Sequence, residues 1–310
     1  MIKVHVFGKE GVHVKDFDSY KPNKAIEWIN VVNPGREDIN KISKKLGIGH
    51  KSLNDCLDPG ERARVENRDG HSVIILKTPL AHENHIKTTS LGIIISGNYI
   101  MTIHPKADLF EGLIKEMDLS LVHRHTYQYI FSQIMLKIVR DFYEVLDKIS
   151  DNVDELENKL LKSKALITMD KALSSKKTLL YFRKALMTNR DVVISLEKGD
   201  CPYISKKSSM MDIRMDSLQL MDMEEIMRER LTEVANLYMA AISNNLNITM
   251  KYFTVVATLF LMPMLITSAY GMNFRIIPLS QHSYGFWIVL GIVIAVITSM
   301  FVLFRRKDWI

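Results

Sequence analysis

Two long uncharged runs of mostly apolar residues lie near the end of the 310-residue chain, at 252–274 and 285–304. As helices rising ~1.5 Å per residue, both are long enough to cross the ~30 Å hydrocarbon core of a bilayer. Basic residues flank them on one side, with Lys251 before the first run and Arg305 after the second. The positive-inside rule therefore predicts two transmembrane helices in a cytoplasmic membrane, with both chain ends, including the basic tail 305–310, in the cytoplasm.

Residues 1–123 have a different pattern, in which short β-type runs alternate with helix-type stretches. Seven runs resemble strands: IKVHVF, GVHVKDF, AIEWINVV, ARVENR, HSVIILKTP, TTSLGIIIS and NYIMTIH. REDINKISKKLG and HKSLNDCLD resemble short helices. The short turns between the later runs predict a cytoplasmic α/β domain with a largely antiparallel sheet.

From residue 124 the apolar positions recur every three or four residues, which predicts long amphipathic helices. Residues 124–209 are expected to form antiparallel cytoplasmic helices with a break near 162–169. Residues 210–251 form a predicted stalk helix, and no Gly or Pro interrupts the chain from Met210 to Pro263. One helix from about 210 to 270, on the order of 90 Å long, would then continue into the first membrane segment. The predicted fold class is an α+β cytoplasmic domain with a long helical stalk and two C-terminal transmembrane helices.

The first membrane segment is more polar than the second and predicts either a pore wall or a helix-packing face. Positions at helical spacing before Asn273 combine polar, small and large apolar side chains, as a hydrated path with an apolar constriction requires. A face that only packs against other helices has a similar composition and remains the alternative. The predicted pore and gate residues are Asn247, Met250, Phe253 (or Thr254), Ala257, Leu261, Met264 and Ser268.

Composition adds a few exclusions. The net charge is +6, but basic and acidic residues are interspersed, so no nucleic-acid partner is expected. Cys56 and Cys201 are far apart and are expected to be reduced thiols. The first residues lack an apolar core of the signal-peptide type, so no signal peptide is expected. Neither a Rossmann nor a P-loop glycine motif is present, and no catalytic motif supports an enzyme.

Several candidate metal ligands lie outside the membrane segments. The sequence HENH at 82–85 could bind a transition metal through its two histidines and Glu83, but its spacing matches no strong zinc signature, so a solvated loop is favoured. His123 and His125 lie at a predicted helix start, where a role without a metal is likewise favoured. Several acids of the stalk are expected on a solvated face, where some could meet a neighbouring subunit and bind a hard cation: Asp212, Asp216, Asp222, Glu224 and Glu225.

The stretch YGMNF at 270–274 closes the first membrane segment, and the chain ends in the basic and aromatic sequence RRKDWI. This Gly-Met-Asn placement, together with the order of domains, resembles the CorA family of magnesium transporters. The resemblance implies a homopentameric channel in a lipid bilayer, with the first span lining the pore and Gly271, Met272 and Asn273 as selectivity filter. It also implies that Mg²⁺ is both transported and regulatory, with Asp212 as a metal ligand and Glu83 as its partner.

The chemistry of Mg²⁺ fits neutral oxygen ligands in the filter. Mg²⁺ dehydrates reluctantly, and a ring of Asn273 carboxamides can accept hydrogen bonds from its bound waters without gripping the ion. Gly271 is expected to let the backbone turn and approach closely. One departure from the family is the predicted outer loop 275–284, RIIPLSQHSY, which lacks the acidic residue that members often carry.

Two other functions fit the same architecture. The channel could carry Co²⁺, Ni²⁺ or Zn²⁺, although such ions favour His or Cys ligands and the first span has neither. A membrane sensor that conducts nothing is the second alternative, but it would not need a polar first span that ends in Gly and Asn.

Overall fold

The computed structural model describes residues 1–8, 11–20, 26–68, 70–82, 85–97, 99–105, 109–161, 169–204, 209–307 and 309. The chain forms two compact units, Met1–Ala235 and Asn236–Ile310. A single long helix begins in the first unit and ends in the second.

The first unit contains a seven-stranded sheet with strand order β2-β1-β3-β7-β6-β5-β4. Every neighbouring pair is antiparallel except β3 and β7, which are parallel with Trp28 opposite Ile100. The predicted mixed domain with a largely antiparallel sheet is therefore confirmed. The strands are β1 (Ile2–Gly8), β2 (Gly11–Asp16), β3 (Ile26–Val32), β4 (Arg64–Arg68), β5 (His71–His82), β6 (His85–Ile95) and β7 (Ile100–His104).

Both faces of the sheet are covered, which explains the continuous apolar run in β5. Side chains alternate between the two faces of a strand. Val73 and Ile75 pack into the core beneath helices α1 (Arg36–Leu46) and α2 (His50–Leu57). Ile74 and Leu76 belong instead to the larger core shared with the long helices.

Four helices follow the short helix α3 (Glu111–Glu116): α4 (Leu119–Leu161), α5 (Met169–Lys198), α6 (Ser209–Tyr270) and α7 (Gly285–Arg306). α4 begins at Leu119, five residues before the predicted start at 124. The predicted break at 162–169 falls largely outside the described residues. Phe142 of α4 meets Phe182 of α5 edge to face, with ring centroids 4.9 Å apart.

Besides its apolar packing on the sheet, helix α5 contributes one buried side chain that bonds directly to a strand backbone. The carboxamide of Asn189 accepts a hydrogen bond from the N–H of Lys77 and donates one to its carbonyl, both at 2.8 Å and both buried. Strand β4 pairs with β5 only as far as Ile75, so the backbone of Lys77 lies just beyond the end of its neighbouring strand. Asn189 thus supplies the partners that the ladder lacks there.

Ion pairs hold the N-terminal half of α6 within the first unit. Arg230 contacts Asp154 at 2.6 Å and Glu157 at 2.9 Å, both on α4. The side chain of Glu224 is only 2% exposed and lies 3.5 Å from Arg183 and 3.9 Å from Arg228. Burial raises the pKa of its carboxyl group, against the opposing effect of the two guanidinium groups. The expectation that Glu224 lies on a solvated face was wrong, because these two arginines enclose it.

The second unit contains the rest of α6, the segment 271–284 and α7. α6 ends at Tyr270, so the last four residues of the predicted first span, 271–274, lie beyond the helix. α7 begins at the predicted residue and extends two residues further, to Arg306. In the part of the chain that the structure describes, α6 and α7 are long and apolar enough to cross a membrane.

Each of these two helices has one less exposed stripe. On α6 the stripe contains Val255, which is buried, and four partly exposed residues: Thr258, Leu259, Pro263 and Ile266. On α7 it contains Val289, Val293, Val296, Met300 and Phe304. Spacings of three and four residues place each set along one helical face.

Candidate functional site

The Gly-Met-Asn stretch lies immediately after the C-terminus of α6. The N–H of Gly271 donates to the carbonyls of Thr267 (2.9 Å) and Ser268 (3.1 Å), which closes the last helical turn. The N–H of Phe274 donates to the carbonyl of Met272 at 3.0 Å. The three residues therefore form a short, tightly turned segment at the end of the helix.

Within the described part of one chain, neither the backbone nor a nearby side chain requires glycine at position 271. Gly271 is not among the described residues with positive φ. A Cβ added there would lie 3.5 Å from the carbonyl oxygens of Ser268 and Thr267, an ordinary contact. The chain does turn at Gly271, but an added Cβ would meet only ordinary contacts there, so the close approach expected of this glycine stays a prediction. A steric need for glycine here would have to come from atoms outside this chain.

Asn273 is exposed, and its carboxamide has no hydrogen-bond partner among the described residues. The amide oxygen is thus available to a ligand. The C-terminus of a helix also carries a partial negative charge, which favours a nearby cation. The end of α6 therefore combines a free neutral oxygen with a helix dipole of the right sign for a positive ion.

The predicted pore residues form one exposed stripe on α6. The four large apolar members, Met250, Phe253, Leu261 and Met264, are between 59% and 74% exposed. The three smaller members, Asn247, Ala257 and Ser268, are exposed as well. At about 100° per residue, all of these positions except Asn247 lie roughly 120° or more around α6 from Val255. The face that the pore prediction requires is therefore among those that this chain leaves uncovered, as are Phe260 and Leu265 beside it.

A shallow concavity of about 480 Å³ lies along the C-terminal part of this stripe. Its lining includes Leu261, Met264, Ser268 and Met272. The hydroxyls of Thr254 and Thr258 instead donate to carbonyls one turn earlier in the same helix. Such bonds satisfy polar side chains inside an apolar helix without a partner from another helix.

The segment between the two membrane helices is folded by consecutive turns. Leu279 adopts a positive φ of 67°, and its carbonyl oxygen would lie 2.1 Å from a Cβ added at Gly285. This close approach requires glycine at the start of α7. Residues 275–284 contain no carboxylate side chain, while Arg275 is exposed two residues after Asn273. The chain itself therefore supplies no acidic side chain here that could attract a cation.

The predicted regulatory ligands do not form a metal site within the described part of one chain. Asp212 is exposed in the first turn of α6, where a negative charge also stabilises the helix dipole. Glu83 and Asn84 of the HENH sequence lie outside the described residues. Among the residues that the structure describes, no group of three or more His, Cys, Asp or Glu side chains could hold a metal ion.

Sequence reasoning missed the residues that connect distant segments. Asn189 and Lys77 are 112 positions apart, and Arg230 and Asp154 are 76 apart. No local pattern marks such pairs, because each residue alone is typical of a helix or strand surface. Only a polar residue on an otherwise apolar helix face, as Asn189 is, gives a weak signal.

Comparison with known proteins gives consistent results. The family model described as "CorA-like Mg2+ transporter protein" matches residues 23–306. The chain is 36% identical to the cobalt/magnesium transport protein CorA of Methanocaldococcus jannaschii, covering 100% of both chains. It is 25% identical to the protein of that name from Thermotoga maritima, covering 94% of this chain and 85% of the relative. The solved structure of the complete M. jannaschii CorA magnesium transporter superposes with a TM-score of 0.88, covering 100% of this chain and 99% of the other at 33% identity.

Proposed function

Because the chain belongs to the CorA family of divalent cation transporters, we propose that it mediates Mg²⁺ influx across the cytoplasmic membrane as a homopentamer. Family membership, rather than the lack of a catalytic motif, classes the protein as a transporter and not an enzyme. The two relatives named above are called cobalt/magnesium transport proteins, so Co²⁺ is the second candidate ion for the same path.

One observation carries the proposal for selectivity: Gly271–Asn273 follow the apolar end of α6 with the carboxamide of Asn273 exposed and unpaired among the described residues. In a symmetric assembly, one Asn273 from each subunit would form a ring of neutral oxygens. Such a ring accepts hydrogen bonds from the waters of a hydrated Mg²⁺, which the ion gives up reluctantly. The converging C-terminal ends of α6 would add favourable negative potential.

The exposed stripe of α6 supplies a candidate gate. Five copies of Met250, Phe253, Leu261 and Met264 would form successive apolar rings below the Asn273 ring. A narrow apolar constriction excludes water and so stops an ion that must stay hydrated. Asn247, Ala257 and Ser268 would separate these rings with smaller or polar surfaces.

We also propose that cytoplasmic Mg²⁺ closes the channel. Carboxylates facing each other between subunits repel when bare and are bridged when a divalent cation binds. Asp212 is the proposed ligand from the stalk, and Glu83 is its proposed partner. Because α6 is one continuous helix from Ser209 to Tyr270, a change in packing near Asp212 would act on the helix that carries the filter.

The exposed apolar surface of α6 supports assembly in a bilayer. Leu246, Ile248 and Met250 precede the first membrane segment and are between 41% and 68% exposed. A single chain in water would not leave so much apolar surface uncovered, whereas neighbouring subunits and lipid would cover it. The basic tail beginning at Arg305 would lie in the cytoplasm with the N-terminus.

Uptake by liposomes that contain the purified protein tests the proposal. A Mg²⁺-sensitive dye inside the vesicles should report influx down a Mg²⁺ gradient, and external Co²⁺ should compete. Protein-free liposomes and a matched K⁺ gradient are the controls. A correctly assembled protein that passes no divalent cation would support the non-conducting sensor instead.

A further inference from the structure

A cavity of about 640 Å³ lies in the first unit, between the segment after α2, strands β5 and β6, and helix α5. Its volume is in the range of small-molecule binding sites. Four basic side chains, Arg62, Lys77, Lys87 and Lys184, contribute to its lining. This basic cavity takes no part in the proposed ion path.

Lys77 is the most enclosed of these cations. It is 7% exposed, and its ammonium group donates to the carbonyl of Pro59 and the hydroxyl of Ser90, both at 2.9 Å. Burial and the nearby positive charge of Lys184 lower the pKa of Lys77, against the opposing attraction of Asp58 and Glu61. An ammonium group has three donors, so one remains for a ligand. The two hydrogen bonds between the Asn189 carboxamide and the backbone of Lys77 fix this backbone and so help to hold the Lys77 side chain in place.

The acids around the cavity already have other partners. The carboxylate of Asp58 accepts a hydrogen bond from the N–H of Gly60 at 2.8 Å, and the carboxylate of Glu61 pairs with Arg64. Arg62 lies 3.7 Å from Asp191. Lys77, Lys87 and Lys184 all line the cavity. Within the described residues, no carboxylate forms an ion pair with any of these three lysines. Three positive charges without acidic partners are therefore gathered around one cavity.

The remaining walls are partly apolar and include an aromatic ring. Tyr181 is 41% exposed and lines the cavity beside Ala185 and Pro59. An exposed aromatic ring can stack on a flat heterocyclic base, and ammonium groups bind phosphate oxygens. A phosphate-bearing ligand with a planar base satisfies both parts of the cavity.

We propose that the basic cavity binds a nucleoside di- or triphosphate, with the phosphates at Lys77, Lys87 and Lys184 and the base against Tyr181. The site is built from segments far apart in the chain, which is why no phosphate-binding sequence motif marks it. Because polyphosphates also bind Mg²⁺, a ligand of this class would compete for the ion that the proposed channel carries.

Calorimetric titration of the purified full chain in detergent tests the site without measuring transport, so its outcome is independent of the proposed channel. ATP and pyrophosphate are titrated separately in Mg²⁺-free buffer. ATP should bind saturably, and Lys87→Ala and Lys184→Ala should each weaken it about tenfold or more, since each removes a charge-assisted hydrogen bond. Both lysines are exposed, so these variants should fold.

Two matched variants sharpen the assignment. Lys176→Ala removes the same charge from an exposed position of α5 that does not line the cavity, and it should leave binding unchanged. Tyr181→Ala should weaken ATP but not pyrophosphate. No saturable ATP binding at millimolar concentration, or equal weakening by Lys176→Ala and Lys184→Ala, would overturn the site. Pyrophosphate binding as tight as that of ATP would overturn the assignment to a nucleotide.

Discussion

The contact between Asn189 and Lys77 gives the sharpest stability prediction. Asn189→Leu keeps a similar side-chain size but removes both partners of the Lys77 backbone, whose N–H and C=O each bond to Asn189 at 2.8 Å. A buried polar group without a partner costs ~1–3 kcal/mol, so the two groups together should cost ~2–6 kcal/mol. A whole domain is stable by only ~5–15 kcal/mol, so this loss is large.

Thermal unfolding of the full chain, followed by intrinsic fluorescence, measures the effect. For a domain of this size, each kcal/mol lowers Tm by ~2–4 °C, which predicts a decrease of about 4–24 °C. Thr188→Ala is the matched control, because its hydroxyl donates only to carbonyls of its own helix, those of Lys184 and Ala185. A decrease for Asn189→Leu no larger than that for Thr188→Ala would refute the proposed role of Asn189 in joining α5 to the sheet.

The remaining predictions concern the ion path. Leu261→Ser should raise basal Mg²⁺ flux in liposomes by wetting an apolar ring, whereas Val256→Ser, on another face of α6, should not; equal leakage from both would place the gate elsewhere. Mg²⁺ should protect the first unit from proteolysis, and Asp212→Ala should abolish that protection; unchanged protection in this variant would assign regulation to other acids. Gly271→Ala should leave Tm within ~1 °C, since the added Cβ makes only ordinary contacts within the chain. If neighbouring subunits approach closely at this position, the same variant should reduce Mg²⁺ flux. Normal flux would exclude such an approach.

Local patterns predicted the elements of this fold well. The apolar run of β5 and the alternation in β1 mark strands because side chains in a sheet alternate between two faces. The uncharged runs mark the membrane helices because a bilayer core tolerates few charges. The end of α6 was predicted four residues too late, because the predicted span was bounded by the absence of charge, which continues to Phe274, whereas the helix ends where the N–H of Gly271 closes the last turn.

Contacts between distant segments could not be read from the sequence. In the sequence, Glu224 lies among other charged residues of the stalk helix and so resembles a solvated acid. Its burial between Arg183 and Arg228 becomes visible only in the structure. The basic cavity combines lysines from two strands and a helix, none of them unusual in its own segment. The Gly-Met-Asn stretch was identifiable because its position next to a membrane segment is local information, whereas the ring it is proposed to form depends on other subunits.

Mg²⁺ uptake by the Asn273→Ala protein tests the central claim most directly. Asn245→Ala is the matched control, since it removes the same carboxamide from an exposed position of α6 outside the predicted pore stripe. Both proteins are reconstituted in liposomes after size-exclusion chromatography has confirmed that they assemble like the wild type. The account predicts that Asn273→Ala loses Mg²⁺ influx while Asn245→Ala retains it. Influx at the wild-type rate through well-assembled Asn273→Ala would contradict selection of hydrated Mg²⁺ by the Asn273 ring.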